Sequence, residues 1–377
     1  MINPTRISSE FAQQAAISSP SFKEAAMADY LRRRFATLAA TLVEDKTGAQ
    51  IGSQSNNLIF HIPGTKPGQP LLLSAHMDTV GPAEGVEPIL KDGVFRSAGN
   101  TILGADDKSG IAEIIEALEV LREQKIAHVP LEVTITVCEE VGLLGAKHLD
   151  FSLLKATRGI ALDTTGISDV IHKAPAAKRF TVQIIGQEAH AGVVPENGIS
   201  SIQIAARAIS RMQLGRIDHE TTANIGVIKG GQATNIIPRQ TVLEGEVRSH
   251  DPHKLEKHSR RIIDLLEEEV AKAHITVDGT EIKAAMSLDL HQEYPAMHVD
   301  KQAEILQLIG TAADAIDFDL QIKAAGGGSD ANIFNAHGIQ CVILGTGMNK
   351  VHSVEEEVKV ADMVQIARLL VEIIRRA

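Results

Sequence analysis

The sequence predicts an α/β fold: a mostly parallel sheet with helices on both faces, interrupted by an inserted α+β domain of βαββαβ order. Three observations lead there. Short apolar runs alternate with amphipathic helical patterns toward both ends of the chain. The middle changes to longer segments that alternate apolar and polar residues, after which the first pattern resumes. Acidic and histidine residues follow several of the apolar runs, and the carboxyl ends of parallel strands would bring such residues to one crevice.

Residues 71–75, 159–162 and 341–344 are apolar and 131–138 alternates in β-branched residues, so all four read as buried strands. Ile111, Ile114, Ile115, Leu118 and Leu121 recur at helical spacing, as do Met363, Ile366, Ala367, Leu370 and Ile373. In the middle, Phe180, Val182 and Ile184 share one face of a strand over 178–187. A helix is expected over 199–214, strands over 222–229 and 241–249, a second helix over 255–273 and a last strand over 281–287. That order is the ferredoxin-like split βαβ. The insert is therefore placed at 177–287, within a discontinuous domain made of 1–176 and 288–377.

With 377 residues, 44% of them hydrophobic and 23% charged, the chain can bury a sizeable core without disulfides, and collagen-like, low-complexity and disordered classes are excluded. A net charge of −11 and an aromatic content of 3% argue against a nucleic-acid partner, which needs basic grooves and stacking platforms, and against anionic lipid. Cys138 and Cys341 each lie in an apolar run and read as core thiols, too few for a thiolate metal site. No apolar run approaches the roughly 18 residues of a membrane span, and the first residues do not resemble a secretory signal. A cytoplasmic location is the expectation.

Five segments carry the chemistry: Ser74–Asp78 as SAHMD, Gly104–Lys108 as GADDK, Cys138–Glu140 as CEE, Asp163 after an apolar run, and His352. Each alone has a plainer reading. His76 and Asp78 could lie on a solvated loop; Asp106 and Asp107 could cap a helix, the better account of Asp107. Glu139 and Glu140 could both point to water, and Asp163 and His352 could occupy turns. Together they form a thiolate-free set, His76, Asp106, Glu140, Asp163 and His352, suited to zinc, manganese or cobalt. If Asp106 bridges two divalent ions, each gains one His, one further carboxylate and the shared Asp, with a place for water between them. Three carboxylates then oppose four positive charges, leaving a net +1 to stabilise hydroxide. Of the two adjacent glutamates, one would coordinate while the other takes a proton.

These motifs resemble the cocatalytic-metal peptidases that include peptidase T, carboxypeptidase G and the aminoacylases, over nearly the whole chain. The SAHMD, GADDKSG and CEEVG blocks carry the resemblance, and GADDKSG is most similar to peptidase T. The resemblance implies that the five residues are the ligands of two ions, most often zinc, with Asp106 bridging. It also implies that Asp78 orients His76, that Glu139 is the general base, and that a cis peptide joins Asp106 to Asp107. His190 in AHAG resembles the histidine that stabilises the tetrahedral intermediate, often across a dimer. Asn235 and Arg248 are similar to substrate-contact positions, as are Gly328 and Ser329 of the loop GGGSDA. That loop also fits a dinucleotide fingerprint, a reading rejected because no βαβ unit surrounds it. Peptidase T carries an arginine where this chain has Gly326.

The expected function is thus a metallo-aminopeptidase that releases the N-terminal residue from short peptides such as tripeptides, a homodimer through its inserted lid domain. The alternatives are an N-acyl amino acid deacylase or carboxypeptidase of the same family, and, from another class, a non-catalytic metal-dependent binding protein. A spare proton acceptor such as Glu139 speaks against the last.

Overall fold

The four apolar runs fold as the strands Leu71–His76, Leu131–Thr136, Arg158–Thr164 and Gln340–Gly345. In the computed structural model, which describes residues 1–377, they lie parallel in the order 131–136, 71–76, 158–164, 340–345. Leu71, Leu72 and Leu73 are all fully buried, which is why this run is continuously apolar rather than alternating. Antiparallel strands extend the sheet on both sides: Thr41–Glu44 and Leu58–Ile62 at one edge, Asp169–Ala174 and Met297–His298 at the other. Gln321–Ala324 runs parallel to Asp169–Ala174.

Helices cover both faces. Ile111, Ile114, Ile115, Leu118 and Leu121 of Ala105–Glu123 pack with Ile366, Leu370 and Ile373 of Val360–Arg376 against Leu71, Leu73, Val133 and Ile160. On the opposite face Leu72, Ala161 and Ile343 meet Ala331 and Phe334 of the helix Asp330–Ala336. Gly110 lets the first of these helices approach the sheet, since a Cβ there would lie 2.6 Å from Asp107 Oδ1 and 2.8 Å from the Leu162 carbonyl oxygen. No helix is long and apolar enough to cross a membrane.

The chain divides into two compact units, Met1–Ala174 with Met297–Ala377, and Pro175–Ala296. The second has strands Ala176–Ile185, Thr221–Gly230, Gln240–Ser249 and Ala285–Tyr294, all antiparallel, in the order 221–230, 240–249, 176–185, 285–294. Its helices, Ser201–Arg211 and Pro252–Ala271, bury Ile204, Ala208, Ile262 and Leu266 against Phe180, Val182, Leu243 and Val247. Gly245 is required there: a Cβ would sit 2.4 Å from the Phe180 ring.

One expected element differs. Residues 281–283 belong to a separate hairpin, His274–Val277 with Thr280–Lys283, and the last strand of the sheet starts at Ala285 and continues to Tyr294. Asp278 and Gly279, at φ 47° and 80°, form a tight two-residue turn of the kind Asp-Gly favours between strands. The unit therefore ends later than the expected 287.

Candidate metal centre

Parallel strands deliver the acidic and histidine residues to one end of the central sheet. His76 ends Leu71–His76 and pairs with Thr136 of the neighbouring strand, and Glu139 and Glu140 follow that strand beyond Cys138, whose φ of 51° turns the chain. Asp163 lies near the end of Arg158–Thr164. Asp106 and Asp107 precede the regular part of their helix, with non-helical backbone and a cis peptide between them. His352, at φ 60°, stands on a tight loop between the paired strands Met348–Asn349 and Glu357–Lys359.

The Asp106 carboxylate sits between the two imidazoles. Its Oδ1 is 3.1 Å from His76 Nε2 and its Oδ2 is 3.2 Å from His352 Nε2. His352 Nε2 is also 3.1 Å from Glu140 Oε1, and His76 Nε2 is 3.9 Å from Asp163 Oδ1. Donor atoms of His76, Asp106 and Glu140 lie within 4.8 Å of one another. The structure thus brings all five expected ligands together.

Electrostatics make this a place for cations. Burial first, then the neighbouring carboxylates, push the Glu139 and Asp163 carboxyls well above their usual range; burial also raises Glu140, against the effect of His352. Burial would raise Asp106 too, but hydrogen bonds with His352 and His76 outweigh it and hold that carboxyl low. Contacts with Asp106 and Glu140 push the His352 imidazole up to about 10. Crowded acids that need neighbouring protons to coexist are what divalent ions stabilise, and the donor set of nitrogen and carboxylate oxygen suits them.

Asp78 contacts His76, chiefly through its backbone, and its carboxylate has further partners. His76 Nδ1 is 2.9 Å from the Asp78 backbone oxygen and 3.5 Å from its carboxylate. The fully buried carboxylate accepts from Glu139 N at 2.9 Å, Glu140 N at 3.2 Å and Ser21 Oγ at 2.7 Å. Asp78 therefore holds the Glu139–Glu140 peptide directly. Asp107, read as a helix cap, is buried and accepts His76 N at 3.2 Å. Asp330 escaped the sequence reading: Thr136 Oγ1 donates to its Oδ2, Oδ1 has no partner, and burial pushes its pKa up to about 6. Cys138 is a buried free thiol whose Sγ donates to Glu24 Oε1 at 3.0 Å. Nothing in the composition around Ser21 or Glu24 marks them, and an Asp closing the Gly-rich run was the one available signal for Asp330.

In the second unit, His190 is exposed in a turn, with Gly192 N donating to its Nδ1 at 3.2 Å. Ala191 N donates to the Asn235 carbonyl at 2.9 Å, and Ile237 N to the Ala189 carbonyl at 2.9 Å, so the His190 and Asn235 loops lie side by side. Arg248 is not with them. It pairs with Ala177 at the opposite end of the sheet, ~20 Å or more along the strand, and both Nε and Nη2 are taken by Glu246. Ser329, just after Gly328, caps the helix Asp330–Ala336 and accepts from Ala331 N at 3.2 Å, so its hydroxyl is engaged in the fold.

Fold and centre together define a hydrolase built around divalent metal. Comparisons with known proteins agree. Residues 175–274 match the peptidase dimerisation domain of the M20 family, and residues 97–189 match the M42 glutamyl aminopeptidase family. The structure of an aminopeptidase PepT from Bacillus cereus is similar at 38% identity and a TM-score of 0.90, covering 100% of this chain and 99% of that one. A Staphylococcus aureus tripeptidase is similar at 37% identity and a TM-score of 0.94, covering 100% and 98%. Peptidase T of Escherichia coli K12 is 26% identical over 76% of this chain and 68% of its own length. The chain belongs to the peptidase T-like branch of the M20 metallopeptidases.

Proposed function

We propose that this peptidase releases the N-terminal residue from short peptides, with His76, Asp106, Glu140, Asp163 and His352 holding two zinc ions and Asp106 shared between them. The observation that carries this is the Asp106 carboxylate, one oxygen toward each imidazole. The aminopeptidase and tripeptidase relatives, similar over the whole chain, support the substrate class. Divalent ions bound there act as Lewis acids toward a peptide carbonyl and lower the pKa of water.

The chain's own groups do the rest. Glu139, whose carboxylate accepts no hydrogen bond while Asp78 fixes its backbone, takes the proton of the attacking water and returns it to the departing amine. Asp107 holds the His76 backbone and Asp78 holds the Glu139–Glu140 peptide, so base and ligands are set before substrate arrives. His190 donates to the developing oxyanion, and the adjoining Asn235 loop contacts substrate. Gly328 and Ser329, of the Gly-rich loop before the helix Asp330–Ala336, contact substrate as well. Arg248 would have to leave Glu246 to grip a substrate carboxylate. The Pro175–Ala296 unit acts as lid and forms a homodimer, in keeping with its match to a dimerisation domain, and the enzyme works in the cytoplasm.

Glu139→Gln tests the reading. It should keep stoichiometric metal while turnover of a free tripeptide falls ~10²- to 10⁴-fold; unchanged turnover removes Glu139 as the base. Cleavage of the tripeptide but not of its N-acetylated form separates an aminopeptidase from a deacylase.

A further inference from the structure

Glu356 takes no part in the chemistry above, yet its carboxylate joins two loops of the centre. We infer that Glu356 is a positioning residue that fixes the Asp106 backbone to the loop carrying His352 and thereby sets the metal affinity of the site. This rests on the metal centre proposed above.

The carboxylate is buried and accepts three backbone N–H groups: Leu103 N at 2.8 Å and Gly104 N at 2.7 Å on Oε2, and Asp106 N at 2.9 Å on Oε1. Gly104, at φ 77°, turns neighbouring N–H groups toward one point, the backbone concavity that suits an anion. At its other end Glu356 closes the His352 loop. Glu356 N donates to the Ser353 carbonyl at 3.2 Å, and Ser353 Oγ donates to the Lys350 carbonyl at 2.7 Å. The next residues, Glu357–Lys359, are paired on both sides, with Met348–Asn349 and with Val94–Ser97, so the loop stands on a fixed base. Asp106 and His352 touch through side chains at 3.2 Å; Glu356 makes a second joint between their loops, through backbone.

Chemistry at this joint demands a carboxylate. A Gln amide has one acceptor oxygen and must turn NH₂ toward at least one of the three N–H donors. An Asp keeps the charge but draws it back by one methylene. Glu132 is the matched control: it too is buried and accepts backbone N–H groups, from Lys155 and Ala156 at 3.0 Å, but it sits at the far end of Leu131–Thr136 from Glu139.

The test measures Zn²⁺ and Co²⁺ dissociation constants by chelator competition, the Co²⁺ absorption spectrum, and thermal unfolding of the stripped full-length protein. Glu356→Gln should bind metal about 10- to 100-fold more weakly, as loss of groups that orient ligands does, with an altered Co²⁺ spectrum. Glu356→Asp should lose less. Glu132→Gln should lower the melting temperature yet keep wild-type affinity. The inference is overturned if Glu356→Gln, or Glu356→Asp where the first does not fold, keeps wild-type affinity and spectrum. Equal weakening by Glu132→Gln overturns it as well, by reducing the effect to general stability. Wild-type protein that takes up no divalent ion removes the metal centre itself and this inference with it.

Discussion

Replacing Asp78 by Asn alters one atom of a fully buried carboxylate that takes three hydrogen bonds. An Asn oxygen in the Oδ1 place still accepts Glu139 N, but the amide NH₂ faces Glu140 N, which then has no acceptor. The Ser21 hydroxyl can rotate and accept from the amide. A hydrogen bond to a charged acceptor contributes ~1.5–3 kcal/mol and a buried N–H without acceptor costs ~1–3 kcal/mol, so a net loss of about 2–3 kcal/mol falls on the Glu139–Glu140 peptide. Expressed in the barrier, that is roughly a 30- to 150-fold drop in kcat. The bond from His76 Nδ1 to the Asp78 backbone oxygen, 2.9 Å, is untouched, so metal affinity should change less than about tenfold. Tripeptide kinetics at saturating zinc, beside metal content after dialysis, separate the two effects. A fully loaded variant with near wild-type kcat and much weaker metal binding would refute the reasoning, because the carboxylate would then act on His76 rather than on the glutamates.

Gly110→Ala should destabilise by ~1–3 kcal/mol, because its Cβ would press on Asp107 Oδ1 and the Leu162 carbonyl, at 2.6 and 2.8 Å. Alanine is otherwise the better helix former, so a rise in melting temperature would contradict the close approach. Glu113 is fully buried with neither carboxyl oxygen hydrogen-bonded, and burial, with lesser effects from Asp107 and Asp362, pushes its pKa up. The folded chain then keeps a proton that the unfolded chain releases above ~pH 4.3, so stability falls as pH rises from there toward the folded pKa, by at most ~1.4 kcal/mol per pH unit. Glu113→Gln should therefore raise the melting temperature more at pH 8 than at pH 5; a pH-independent difference would count against it.

The centre of the fold was legible because burial on both faces leaves an unmistakable trace. A strand such as Leu71–His76 can be nothing but apolar, and helices such as Val360–Arg376 show one buried stripe. Edge strands left no such trace. Thr41–Glu44 has no fully buried residue, and Pro88–Lys91 is mostly exposed, so their side chains report little about the pairing that holds them. The hairpin at His274–Lys283 was legible in principle, through Asp278–Gly279, but the alternation of 281–287 read across its end because period two does not change where one strand stops and another begins.

The candidate ligands were legible for a related reason: a carboxylate or imidazole at the end of a buried strand needs an explanation, as His76, Glu140 and Asp163 do, and Asp106 and His352 offer the same donor chemistry. The groups that aim them do not stand out. Asp107 shows why. It adjoins Asp106 and shares its residue type, so sequence assigns it the ordinary task of an acid at a helix start. In the structure the two side chains part, Asp106 reaching the imidazoles and Asp107 reaching the His76 backbone N–H. Glu356, Asp78 and Asp107 all work by accepting backbone N–H groups, and a backbone donor has no residue type to match. Their task is set by where the partner loop passes, 250, 61 and 31 residues away along the chain. It follows that substitutions at such acceptors should separate metal affinity from turnover according to which loop each one holds: Glu356 the affinity, Asp78 the turnover.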